Sequence, residues 1–131
     1  MRMGVVCGSF HKDEVNRMLD YATDEAESKK WEIAETVWVP GSMESPLALD
    51  RLLQREDIHG AIVLGIIEKG ETEHGMVMGQ SVPKAIIELQ IKHGKPIGLG
   101  IIGPGAEPKH IEPRLEPHAR AAVGAVASMV E

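Results

Sequence analysis

The sequence predicts an α/β fold in which four parallel strands are covered by helices on both faces. Three observations lead there. Short apolar runs alternate along the chain with longer segments of helical periodicity, no two apolar runs follow one another directly, and the third run, GAIVLGII, is apolar throughout. Strands buried on both faces read as continuous apolar runs, and a strand, helix, strand succession forms a parallel pair through a right-handed crossover.

The elements follow in order. Residues 2–8, RMGVVCG, form a strand that ends in glycine, and in HKDEVNRMLDYATDEAESKK the residues Val15, Met18, Leu19, Ala22 and Ala26 recur at helical spacing. WEIAETVWV alternates as a second strand and PGSME reads as a turn. PLALDRLLQRE carries Leu47, Leu49, Leu52 and Leu53 on a short helix whose leading proline suits a first turn. After the third strand, GAIVLGII, the polar loop EKGETEH leads into a helical pattern from Met76 to Ile91. Pro83 lies inside that pattern; without an N–H, and with its ring pressing on the preceding turn, it is expected to kink the helix or delay its start. KPIGLGIIG gives a fourth strand, GPGAEP a turn, and EPHARAAVGAVASMVE a final helix with Pro117 near its beginning.

With 131 residues, 43% of them apolar, the chain is long enough for one compact domain but too short for two, so residues 1–131 are expected to form a single domain. A net charge of −6, with basic residues scattered among acidic ones, argues against a nucleic-acid surface. No segment approaches the roughly 20 apolar residues of a membrane helix, and the N-terminal apolar run is too short for a signal peptide. The single cysteine, Cys7, sits in the apolar run VVC, which suits a buried structural thiol in a reduced, cytoplasmic compartment. His11, His59, His74, His93, His110 and His118 never fall at a metal-binding spacing, so no metal site is expected. GxGxxG, GxxxxGK[ST] and GxSxG are all absent.

Ligands of parallel α/β sheets bind beyond the carboxyl ends of the strands. Those ends are GSFH (8–11), VPGSME (39–44), EKGETEH (68–74) and IIGPG (101–105), and the unusual residues gather in them. Gly70, Glu71 and Thr72 present backbone N–H groups at a loop entering a helix, where an anion such as phosphate is favoured; equally, Thr72 caps that helix and His74 is a surface residue of its first turn. As a ligand-facing residue His74 would carry protons, its ordinary pKa lying near neutrality. Phe10, the sole phenylalanine, either stacks on a planar ligand ring or packs in the core. Glu44 either accepts hydrogen bonds from ligand hydroxyls or is solvated, and Arg114 could hold a phosphate through two parallel hydrogen bonds.

Taken together, SFH, VPGSMESPLA, LGIIEKGETEH, PIGLGI and Arg114 before the last helix resemble the 6,7-dimethyl-8-ribityllumazine synthase family over nearly the whole chain. VPGxxExPLA and GxTxH are the most specific pieces, and the short GPG turn looks like the archaeal branch. The resemblance implies a flavodoxin-like three-layer sandwich and a cofactor-free condensation of 5-amino-6-(D-ribitylamino)uracil with 3,4-dihydroxy-2-butanone 4-phosphate. It implies a homo-oligomer, a pentamer or a multiple of five, with active sites between subunits. Residue by residue, it makes Phe10 the platform under the pyrimidinedione and Ser42, Met43 and Glu44 the turn holding the ribityl chain. Ile66 and Ile67 would line the ring pocket, and Gly70, Glu71, Thr72 and Arg114 would bind the phosphate. His74 would transfer protons, while Leu99 and Arg114 would reach the pocket from the neighbouring subunit.

The chain departs from the family pattern at three places. His11 stands where a small amide residue is usual, Ala122 where bacterial members carry a basic residue, and Pro83 and Gly79 fall in a helix that is otherwise regular. Two rivals share the fold: the archaeal type of riboflavin synthase, which lacks the GxTxH histidine, and a noncatalytic flavin-binding module, which has no need of a phosphate loop.

Overall fold

Apolar side chains of β3 (Gly60–Glu68) divide between two cores: Ile62, Leu64 and Ile66 pack on one face of the sheet, Ala61, Val63 and Ile67 on the other. This is the period-two alternation of a strand covered on both sides. The computed structural model, which describes residues 1–69 and 74–130, places β3 beside β1 (Arg2–Gly8). Strand β2 (Glu32–Val39) pairs with the far edge of β1, and β4 (Ile97–Ala106) with β3. All pairs are parallel and the order is β2-β1-β3-β4.

That order fixes the layers. The chain moves one way across the sheet from β1 to β2, then reverses past β1 to reach β3 and β4. Crossovers of one hand put the first helix on one face and the next two on the other. Accordingly α1 (Lys12–Ser28) lies with the final helix, α5 (Leu115–Met129), on one face, while α2 (Ser45–Leu53) and α3 (His74–His93) cover the other. The buried stripe of α1 is Val15, Met18, Ala22 and Ala26, and Asp13 and Glu14 in its first turn complement the helix dipole. This is the three-layer sandwich expected from the alternation of elements.

Two details go beyond the sequence pattern. Pro83 does not delay the start of α3, which runs from His74 to His93 with the proline inside it. Val82 and Ile86, one before and one after the proline, are both buried against the second core, so packing holds the helix across the lost hydrogen bond. Gly79, one turn before the proline, has no side chain, which lets the helix press on Pro104.

The GPGAEP segment is not a free turn either. Strand β4 continues through it to Ala106, which pairs with Glu68 and accepts a hydrogen bond from Lys69 N at 2.8 Å. Gly103 has φ +105°, and a Cβ there would lie 2.1 Å from the Ile67 carbonyl oxygen, so glycine is required. A one-turn helix α4 (Pro108–Ile111) and a 3₁₀ turn (Glu112–Arg114) then lead to α5.

Glycine also sets how closely α5 approaches the sheet. A Cβ on Gly98 would lie 2.0 Å from the Ala122 carbonyl oxygen, and Ala122 itself is 2% exposed beneath β4. Ala122 is therefore a packing residue between α5 and β4.

Candidate active site

The segment after β2 turns because Pro40 and Gly41 end the strand and Ser42–Glu44 form a single 3₁₀ turn. Ser45, the first residue of α2, fixes the turn from below: its buried hydroxyl donates to the Ser42 carbonyl at 2.6 Å, and Pro46 follows in the helix's first turn. The Glu44 carboxyl is left exposed above the sheet.

After β1, Ser9 N donates to the Val39 carbonyl at 2.8 Å, which ties the ends of β1 and β2 together. Phe10 then points away from both cores, with 70% of its surface exposed. Its ring meets that of His11 edge to face, with centroids 5.2 Å apart and planes at 79°. His11 precedes α1, accepts a hydrogen bond from Val15 N on its carbonyl, and brings its Nε2 to 3.2 Å from Glu68 Oε2 at the end of β3.

Between these segments lies a cavity of about 470 Å³. Phe10, Ser42, Met43 and Glu44 form one side, Ile66, Ile67 and Glu68 its sheet wall, and His74 with Met78 the side toward α3. The volume suits a ligand of a few fused or substituted rings, and the wall is mainly apolar with a few convergent polar groups. The cavity stands over the carboxyl ends of β1, β2 and β3, next to the point where the strand order reverses. Ile66 and Ile67 reach it from opposite faces of the sheet because it opens just past the strand's end.

Of the residues singled out in the sequence, Phe10, Ser42, Met43, Glu44, Ile66, Ile67 and His74 therefore meet around one cavity. Gly70, Glu71 and Thr72 lie outside the described residues. His74 opens the described part of α3, and its side chain is exposed. Sequence reasoning passed over Glu68, which reads as a solvated loop carboxylate, and Ser45, whose burial no local pattern announces.

Arg114 and Leu99 do not join this cavity within the chain. Leu99 is 43% exposed on the edge strand β4. Arg114 borders a second, polar cavity of about 300 Å³ under residues 102–106, with His110 and His118 beside it. Its Nη1 donates to the His110 carbonyl at 3.0 Å. The two cavities share no lining residue. Among the described residues no three His, Cys, Asp or Glu side chains cluster as metal ligands, and no helix is long and apolar enough to cross a membrane.

Comparison with known proteins bears on this arrangement. The family model for 6,7-dimethyl-8-ribityllumazine synthase matches residues 1–131. A 6,7-dimethyl-8-ribityllumazine synthase of Staphylothermus marinus is 40% identical over 98% of this chain and 86% of its own length. The Methanopyrus kandleri enzyme of that name is 37% identical over 99% and 92%, and that of Metallosphaera sedula 36% identical over 98% and 85%. With the whole chain matched at these identities, and with the sheet those proteins' family requires, the chain belongs to the 6,7-dimethyl-8-ribityllumazine synthase family.

Proposed function

We propose that the chain condenses 5-amino-6-(D-ribitylamino)uracil with 3,4-dihydroxy-2-butanone 4-phosphate, giving 6,7-dimethyl-8-ribityllumazine, phosphate and water. One juxtaposition supports the reading above all: an exposed aromatic ring (Phe10), a carboxylate (Glu44) and a histidine (His74) around one cavity at the strand ends of a chain matched by the family throughout.

On this reading the pyrimidinedione lies on Phe10 against Ile66 and Ile67, and the ribityl hydroxyls donate to Glu44 and to the Ser42–Met43 backbone. The backbone N–H groups of Gly70, Glu71 and Thr72 face the phosphate, an anion that a loop entering a helix favours. The uracil's amine attacks the ketone and an imine forms with loss of water. Elimination of phosphate leaves an enol that tautomerises to a new carbonyl at the carbon that carried the 3-hydroxyl, and attack of the ribitylamino nitrogen on that carbonyl, again with loss of water, closes the ring. Each step moves a proton, and His74 at the mouth of the cavity is the group suited to move it. Holding the two reactants together supplies much of the remaining acceleration.

Arg114 borders a separate cavity that shares no lining residue with the first. We assign Arg114 and Leu99 to the site of the neighbouring subunit, so that the working form is a pentamer or a multiple of five. The unpaired, buried Cys7 suits a reduced cytoplasmic compartment.

The test is incubation with both substrates while following lumazine absorbance. Lumazine formation is expected. Riboflavin appearing from lumazine alone would instead identify the paralogous synthase, and no turnover of either mixture would leave only a binding module.

A further inference from the structure

His11 is tied to the functional cavity from two sides although it does not line it. Its ring meets Phe10 edge-on, and its Nε2 lies 3.2 Å from Glu68 Oε2; both Phe10 and Glu68 line the cavity. The imidazole is itself well seated, with its side chain 20% exposed and its main chain bonded into the start of α1. Phe10, by contrast, is 70% exposed and has little cover to fix its rotamer. Nε2 is buried and lacks an aligned hydrogen-bond partner among the described residues.

We propose that His11 is a positioning residue for the pyrimidinedione-bearing substrate. It braces the Phe10 platform edge-on and holds the Glu68 carboxylate against the cavity wall, clear of the space the ring occupies. A shorter side chain at position 11 frees Phe10 to rotate and lets an unpaired carboxylate swing into an apolar ring site, where its burial is unfavourable. Both effects fall on the ring substrate and neither on the phosphate substrate. The proposal rests on the condensation reading above.

The test compares wild type with His11→Ala, His11→Phe and Glu68→Gln in steady-state kinetics, varying each substrate in turn. Thermal melting and light scattering check fold and assembly. An edge-to-face aromatic contact is worth about 0.5–1.5 kcal/mol, so His11→Ala should raise KM for ribitylaminouracil by about two- to twelvefold. KM for the butanone phosphate and kcat should stay within about twofold. His11→Phe, which keeps a ring edge against Phe10 but loses the nitrogen, should fall between wild type and His11→Ala. Should His11→Ala not assemble, Glu68→Gln, at a half-exposed side chain, carries the test with a smaller rise in the same KM. Unchanged KM for the uracil in both variants overturns the proposal, as does a fall in kcat with both KM values preserved, which would make His11 a proton carrier. If wild type itself forms no lumazine, the functional reading fails first, and the distinction is visible in the same plate.

Discussion

His74 stands exposed at the start of α3, so replacing it removes little packing. General acid–base assistance is typically worth about 10²–10⁴ in rate, and here much of the acceleration comes from holding two reactive partners together. We predict that His74→Ala retains measurable turnover, with a single-turnover rate lowered by about 10² or less and oligomer size unchanged. A rate equal to wild type across pH 6 to 8 would reduce His74 to a helix-start residue. Cys7 is the opposite case. It is fully buried in β1 with its thiol pushed up to about 12 by burial, so almost no thiolate is present at neutral pH. Iodoacetamide should leave the native protein unlabelled and modify Cys7 only once denaturant is added; rapid labelling of native protein would contradict this.

At the scale of elements, α2 and α3 are joined by a polar contact outside the apolar core. Asp50 accepts hydrogen bonds from His93 Nε2 at 2.8 Å, Lys92 Nζ at 3.1 Å and Gln54 Nε2 at 2.8 Å. His93 first, and then Lys92, hold the Asp50 carboxyl below its ordinary value. A carboxyl depressed by folding gives stability that is present above its unfolded-state pKa and is lost as pH falls through the folded value. Asp50→Asn is therefore expected to lower the urea midpoint at pH 7 by the equivalent of about 1 kcal/mol, with the gap to wild type narrowing below about pH 4. A gap that stays constant down to pH 3 would show that the charge is not what couples the helices. The same contact anchors the far end of the helix whose first described residue is His74, so it also fixes the direction in which α3 leaves the cavity.

Homo-oligomeric assembly goes with the family, and the chain's surface suits it. Large apolar side chains are exposed on α2 (Leu47), α3 (Met76, Val77, Ile87, Ile91) and the edge strand β4 (Leu99). If each site combines the first cavity of one subunit with Arg114 of the next, two defective variants can complement each other. Glu44→Ala and Arg114→Ala, unfolded, mixed in equal amounts and reassembled, should regain about a quarter of the wild-type sites, because random neighbours pair the two intact faces with that frequency. Assay at limiting butanone phosphate resolves this, since Arg114→Ala alone should lose about 1.5–3 kcal/mol of binding to that substrate. Absence of complementation would place both faces in one subunit's site. Light scattering on the wild type should give a mass that is a multiple of five chains.

The fold class was legible in the sequence because each strand is an apolar run with its own boundary and each helix repeats its own period. Local patterning is enough to decide what a segment becomes when burial covers both of its faces, as in GAIVLGII. The motifs at the strand ends were legible too, since Phe10, Ser42, Glu44 and His74 are unusual for where they stand. What the sequence could not settle depends on partners distant along the chain. Pro83 is tolerated because Val82 and Ile86 are buried beside it, and the GPGA of GPGAEP is strand because Ala106 pairs with Glu68. His11 gains a place beside the cavity only when β3 brings Glu68 to it. Strand order is of the same kind: alternation along the chain is identical for every order of four parallel strands. Long-range packing alone set β1 between β2 and β3, and so put the cavity where the order reverses.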